Sequence, residues 1–293
     1  MWVTFWLSLV AITWSLSLGY YGQPVYYEPA MDRWKRYRGA MMGQTNDYCD
    51  NAKSNLTVDW PGMDFHEFTC EEDDYWKSDY ATDPVYYEIP NLDRNNDVVW
   101  HHCMNETIEY EDVPPLRGDH RPNWAIFGEY LYLPPQRWLH NLEHGSVVML
   151  YHPCADPREV NKLRHVIRNC LYRHVITPYN KLDQKRPIAL VTWGSKLEMD
   201  KVNVPAVISF IQANAIRHAP ENLFKQGKYD LYLIRPATIP RGSTIQDDNL
   251  CAGLGAAAAP ASHFLEHLIR PQDHIPYGVL FPTTNDDSPE MKK

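Results

Sequence analysis

"SVVMLYHPCADPREVNKLRHVIRNCLYRHVITPY", residues 146–179, reads as a strand, a helix and a second strand in immediate succession. The helix has the clearest signals, because Asp156 is a good N-cap, Pro157 suits the first helical position and Glu159 completes a capping box. One face of this helix is apolar and consists of Val160, Leu163, Val166, Ile167, Cys170 and Leu171. The stretch therefore predicts two strands joined by one amphipathic helix.

The neighbouring sequence extends this unit to an α+β domain. Segments typical of strands occupy residues 124–133, 146–152, 174–179, 186–194 and 228–236, and a second helix is predicted over 204–223. The order β-β-α-β-β-α-β predicts a small mixed or antiparallel sheet backed by two helices.

The regions outside this domain have different compositions. Residues 1–19 form a short apolar run with Ser17 and Gly19 at the positions of a signal-peptidase site, and an uncleaved N-terminal anchor is the alternative. Residues 20–100 predict an irregular segment rich in Tyr and Asp, residues 101–240 the α+β domain, and residues 241–293 a tail with one short helix. After residue 19 no stretch is long and apolar enough to cross a bilayer.

The cysteines and sequons indicate secretion. The six cysteines are even in number and all follow residue 19; they are Cys49, Cys70, Cys103, Cys154, Cys170 and Cys251. N-glycosylation sequons begin at Asn55 and Asn105. Cys154 and Cys170 lie at opposite ends of the predicted helix, roughly 20 Å apart at about 1.5 Å per residue, which is too far for a disulfide. Cys103 is the favoured partner of Cys154.

The net charge of −9 and the lack of a basic stripe argue against nucleic acid as a partner.

A metalloprotease-like motif, H-x-x-E-H, occurs at His140–His144. Two histidines four residues apart share a zinc ion only on a helix or tight turn, and the flanking Pro134-Pro135 and Gly145 allow just one or two turns here. Glu221 follows the motif at a sequence separation that is typical of the third zinc ligand in such proteases, but those enzymes are much longer chains. The second copy, with His263, Glu266 and His267, is interpreted as the solvated face of a short helix.

A wider pattern surrounds this motif. It comprises Pro114-Pro115-x-x-Gly118-x-His120, Gly128-x-Tyr130, the run from His140 to Gly145, Tyr151-x-Pro153 and Trp193-Gly194. Over roughly residues 100–235 the chain resembles an uncharacterised extracytoplasmic domain that bacteria and animals share, whose animal form is p53-inducible protein 13. The resemblance implies growth regulation and a C-terminal membrane segment. Because no such segment is seen here, we expect a secreted or luminal binding module rather than an enzyme.

The histidines at the motif positions predict a metal site. His120, His140 and His144 are the candidate ligands, and imidazole suits Zn or Cu. A purely structural hydrogen-bond cluster is the alternative, and a metal-dependent hydrolase with Glu143 as general base is the rival function. We expect His120 to lie close to His140 and His144 if residues 124–133 pair antiparallel with residues 146–152. Residues that could add further ligands are His101, His102, Cys103, Met149 and His152.

Overall fold

The computed structural model describes residues 38–39, 42–62, 64–78, 83–216 and 219–254. The predicted signal peptide and the short tail helix with its histidines lie outside these residues. The strands are β1 (Arg38–Gly39), β2 (Val85–Glu88), β3 (Trp100–His101), β4 (Gly128–Tyr130), β5 (Val147–Tyr151), β6 (His174–Pro178), β7 (Ile188–Thr192), β8 (Ser195–Met199) and β9 (Leu233–Pro236). The α-helices are α1 (Pro135–Glu143), α2 (Pro157–Cys170) and α3 (Val204–Asn214).

Seven of these strands form one mixed sheet in the order β2-β8-β7-β5-β6-β4-β9. The pairs β5–β6 and β4–β6 are parallel, and the other neighbours are antiparallel. This confirms the predicted α+β class with a mixed sheet. The sheet is larger than predicted, because β8 folds back on β7 after Gly194 and β2 joins it from the N-terminal segment.

The central strands are buried on both faces of the sheet. In β5, Val147 and Met149 pack in the core under α2 and α3, whereas Val148 and Leu150 pack in the core under α1. Two helices back one face, as the sequence predicts. The second face is covered by α1 together with residues from the loops that precede α1 in the chain, such as Val99, Leu116 and Ala125.

The helix α2 begins where the sequence indicates but is capped differently. The Asp156 side chain accepts a hydrogen bond from the amide of Arg158, as an N-cap does. The predicted capping box is wrong, because the Glu159 carboxylate accepts from the amide of Val202 instead (2.8 Å). The second predicted helix is shorter than 204–223, since α3 ends at Asn214.

Three disulfides join the cysteines: Cys49–Cys103, Cys70–Cys154 and Cys170–Cys251. Cys154 and Cys170 do not pair, as the length of α2 requires. The favoured Cys103–Cys154 bridge is wrong, because the N-terminal segment brings Cys70 to Cys154 and Cys49 to Cys103. Among the described helices, none combines the length and the hydropathy needed to cross a membrane.

Candidate metal centre

Two segments that are distant in sequence bring the first two histidines together. Residues 100–102 run parallel to His120, with a hydrogen bond from the amide of His102 to the His120 carbonyl (3.0 Å) and one from the amide of His120 to the Trp100 carbonyl (3.0 Å). This pairing places the rings of His101 and His120 side by side, with their Nε2 atoms 3.0 Å apart.

The helix α1 supplies the other members of the cluster. His140 and Glu143 lie three residues apart, so they occupy the same helix face. The chain after His120 is fixed to this helix, because the amide of Arg121 donates to the Gln136 carbonyl (2.9 Å). The C-terminal turn of α1 therefore faces the His101–His120 pair.

One oxygen of Glu143 is the centre of the arrangement. Its Oε2 lies 3.1 Å from His120 Nε2, 3.4 Å from His101 Nε2 and 3.8 Å from His140 Nε2. One ligand atom from each of the four residues lies within 4.8 Å of all the others. We call His101, His120, His140 and Glu143 the His–Glu cluster.

Backbone carbonyls fix the tautomers of two of the imidazoles. His120 Nδ1 donates to the carbonyl of Gly118 (2.8 Å), and His140 Nδ1 donates to that of Arg121 (2.5 Å). A carbonyl only accepts, so Nδ1 of each ring carries a proton and Nε2 is the nitrogen available to bind a metal. His120 Nε2 faces Glu143 Oε2, whereas His140 Nε2 lies between Glu143 Oε2 (3.8 Å) and His144 Nε2 (3.0 Å). Metal-ligating histidines are oriented in this way by their outer hydrogen bonds.

The cluster is closed to solvent, and burial controls its protonation. The side chains of His101 and His120 are 0% exposed and that of Glu143 is 3% exposed. Burial, reinforced by the neighbouring histidines, holds the pKa of His140 well below its usual value. Burial alone would raise the pKa of Glu143, but the facing His120 and the hydrogen bond from His101 hold it well below its usual value. Burial and its neighbours therefore favour the neutral form of His140 and the ionised form of Glu143, and these are the forms that bind metal ions.

Buried ion pairs hold this part of the molecule in place. The Arg121 guanidinium pairs with Asp59 (Nε–Oδ1 2.9 Å) and also donates to the carbonyl of Cys103 (2.5 Å). Arg137 on α1 pairs with Asp50 (Nη1–Oδ2 2.6 Å). Both carboxylates belong to the N-terminal segment, so this segment helps to fix the loop that carries His101 and the helix that carries His140.

The structure brings together part of the predicted ligand set. His120 and His140 converge with Glu143, but the expected reason is wrong: β4 pairs with β6 and β9, not with β5. His144 lies beside His140, with their Nε2 atoms 3.0 Å apart, yet it falls outside the four residues that surround one point.

Of the five residues suggested as further ligands, only His101 belongs to the His–Glu cluster. His101 joins the cluster, whereas Cys103 is in a disulfide and Met149 packs in the core on the opposite face of the sheet. His152 stacks on Trp76 (ring centroids 4.1 Å apart), and His102 pairs with Glu106 and Asp119. The sequence indicates His101 only as a neighbour of the predicted site, since its approach to His120 depends on a pairing across nineteen positions.

The protease geometry is not formed. Glu221, the residue at the third-ligand distance of such enzymes, lies 3.8 Å from His144 Nδ1, whereas His140 faces the Nε2 atom of the same ring. The two neighbours therefore approach opposite nitrogens of His144. One ion cannot bind His140 and Glu221 together with His144 in this arrangement, because each bond must be about 2 Å long.

Comparison with known proteins gives one match. Residues 101–227, fewer than half of the chain, match a family model described as "Protein of unknown function (DUF3105)". No curated protein and no solved structure matches the chain. The matched range begins at His101 and contains every member of the His–Glu cluster. The match is to an uncharacterised domain family and does not single out p53-inducible protein 13.

Proposed function

We propose that this protein is a metal-binding module of the secretory pathway or the extracellular space, in which the His–Glu cluster binds one Zn²⁺ ion. The observation that carries the proposal is the convergence of three imidazole nitrogens on one carboxylate oxygen inside the molecule. A hydrogen-bond cluster explains this less well. His120 Nε2 and Glu143 Oε2 are both acceptors and lie 3.1 Å apart, and the one Nε2 proton that His101 can donate satisfies only one of them.

The donor set and its spacing suit zinc. Ligands at about 2.0–2.1 Å in a tetrahedron are about 3.3 Å apart. The distances from Glu143 to His120 (3.1 Å) and to His101 (3.4 Å) fit this value. His140 lies 3.8 Å from Glu143, and the ligand atoms of the set are up to 4.8 Å apart, so binding requires His140 to move inward. Imidazole and carboxylate also suit Cu²⁺, but copper favours a square-planar or tetragonal set.

The burial favours a structural site over a hydrolytic one. A catalytic zinc has three protein ligands and an open position for water. Here four protein groups surround the centre, and Glu143 is one of them rather than a base beside a bound water. The hydrolase with Glu143 as general base therefore remains the second candidate. It requires an open coordination position for water, and in the cluster Glu143 itself occupies the fourth position.

The three disulfides are consistent with an oxidising compartment. They support, together with the apolar residues 1–19, the proposal that the chain is secreted or luminal. Asn55 and Asn105 are exposed and accessible to glycosylation. The resemblance to the p53-inducible protein 13 family further suggests a growth-regulatory role, exerted through a protein partner rather than nucleic acid.

Production in secreting cells tests this location. We expect a mature N-terminus near Tyr20 and a mass that falls on deglycosylation, with smaller shifts in the Asn55→Gln and Asn105→Gln variants. A product that begins at Met1 and has no glycan would contradict the proposed location.

Elemental analysis of the purified protein tests metal binding. We expect one zinc per chain in the wild type and a loss of zinc in a His120→Gln/His140→Gln variant. His152→Gln is the matched control, since this half-buried histidine stacks on Trp76 outside the cluster. Removal of zinc with a chelator should lower the free energy of unfolding of the wild type. A wild type that contains no metal, and binds none when Zn²⁺ is added, would overturn the proposal.

A further inference from the structure

His144 lies between the His–Glu cluster and a more exposed carboxylate. Its Nε2 is 3.0 Å from His140 Nε2, and its Nδ1 is 3.8 Å from Glu221 Oε2. The Glu221 side chain is 13% exposed, whereas those of His144 and His140 are 0% exposed. We propose that Glu221 and His144 form the route by which Zn²⁺ reaches and leaves the cluster. This inference rests on the proposed metal site.

The two groups have the spacing of a transient metal-binding pair. Two ligands of one tetrahedral zinc are about 3.3 Å apart, so the 3.8 Å between His144 Nδ1 and Glu221 Oε2 needs only a small closure for both to bind one ion. Glu221 supplies the charge that attracts a cation from solvent, and the imidazole of His144 is the first nitrogen donor behind it. The next donor is His140, a member of the cluster. The three residues thus form a continuous line of ligand atoms from the partly exposed carboxylate to the closed centre.

The protein holds Glu221 at this position through several contacts. Its amide donates to the Glu143 carbonyl at the end of α1 (3.1 Å). The buried Arg173 donates both to the His144 carbonyl (3.2 Å) and to the side chain of Asn222 (3.0 Å). These bonds fix residues 221–222 against the turn that carries His144. The backbone of Glu221 is therefore held next to the turn that carries the imidazole.

The opposite side of the cluster offers no comparable line of donors in the described residues. His102 is next to His101 in sequence and partly exposed, but successive residues of an extended segment point to opposite sides. Its ring nitrogens face Glu106 (2.6 Å) and Asp119 (2.9 Å) instead of the cluster. The acidic groups there are thus separated from the cluster by the backbone of residues 101–102.

A route and a ligand differ in their effect on kinetics. Removing a ligand weakens binding at equilibrium, whereas blocking a route slows loading and release by the same factor and leaves the affinity unchanged. The test measures the exchange of bound zinc for isotopically enriched Zn²⁺ by mass spectrometry. This uses the zinc-loaded protein, so it does not require a folded metal-free form. Glu221→Gln is the main variant and His144→Gln the second. Glu198→Gln is the matched control, because Glu198 is similarly buried but pairs with Lys196 on β8.

We expect Glu221→Gln and His144→Gln to retain one zinc per chain and to exchange it about tenfold more slowly than the wild type, equivalent to about 1.4 kcal/mol on the barrier. Glu198→Gln should exchange at the wild-type rate. Wild-type exchange rates in both route variants, with zinc still bound, would overturn the route and leave the metal site standing. Loss of zinc at equilibrium in Glu221→Gln would make Glu221 a ligand and also overturn the route. A wild type without zinc would overturn the site and the route together.

Discussion

His101 and His102 are adjacent, yet only one of them faces the His–Glu cluster. The ring of His101 is fully buried, and its Nδ1 has no hydrogen-bond partner among the described residues. The ring of His102 is partly exposed, with both nitrogens paired to carboxylates. This neighbouring pair separates the effect of a metal ligand from the general effect of removing a histidine.

The two substitutions should differ strongly in zinc affinity. Changes to the groups that support a metal ligand cost about 10- to 100-fold in affinity. We therefore expect His101→Gln, which removes a ligand, to weaken zinc binding by at least about 100-fold. His102→Gln should stay close to the wild-type affinity. Competition with a chromogenic chelator measures both, and equal affinities in the two variants would remove His101 from the site.

At the level of elements, the turn between α1 and β5 is fixed by close contact with the segment after α3. Gly145 has a φ of +83°, and a Cβ built on it would lie 2.8 Å from the Cα of Ile216. The amide of Ile216 also donates to the Gly145 carbonyl (3.0 Å). Only glycine allows both the backbone angle and this approach. The glycine that ends the H-x-x-E-H-G motif is thus explained by packing.

Gly145→Ala should be among the more destabilising single changes in the chain. We expect a loss of about 3 kcal/mol in the free energy of unfolding, from the left-handed backbone and the steric clash together. Gly62→Ala is the matched control, because Gly62 has a φ of +70° but no atom within 4 Å of its Cβ position. That variant should lose only about 1 kcal/mol. Urea denaturation measures both, and equal losses would show that the contact with Ile216 contributes nothing.

The elements that could be predicted from sequence have local signals. Asp156 and Pro157 mark the start of α2, and the buried central strands are apolar runs. The strand β8 has only a weak signal, because its alternation of Lys196 and Glu198 with buried residues spans five positions and both residue types are disfavoured in strands. Its strand conformation depends on pairing with β7 and β2. The His–Glu cluster likewise depends on pairing between segments that are distant in sequence. The sequence motifs indicate His120, His140 and Glu143, but His101 enters through a pairing with His120 that no spacing encodes.

For the whole molecule, the N-terminal segment completes the structure around the cluster. Two disulfides and the edge strand β2 attach residues 42–88 to the rest of the chain. The same segment supplies Asp59, the buried partner of Arg121, whose carbonyl orients His140. The residues that match the family model therefore depend on a segment that lies outside the match.

Asp59→Asn tests this dependence. The substitution leaves a buried guanidinium without its charge partner, which costs about 3–5 kcal/mol. We expect a loss of that size in the free energy of unfolding, together with weaker zinc binding. Asp47→Asn is the control, because Asp47 lies in the same segment but is exposed and bonds only to Asn51 among the contacts described. If both variants are as stable as the wild type, the ion pair with Arg121 does not support the cluster.

X-ray absorption spectroscopy at the zinc edge tests the central claim most directly, because it counts and identifies the atoms bound to the metal. For the zinc-loaded protein we predict four nitrogen or oxygen ligands at about 2.0–2.1 Å, with the multiple-scattering signature of three imidazoles. This result would match His101, His120 and His140 with Glu143. A shell of six oxygens, or one with fewer than three imidazoles, would contradict the assignment of the His–Glu cluster as a closed zinc site.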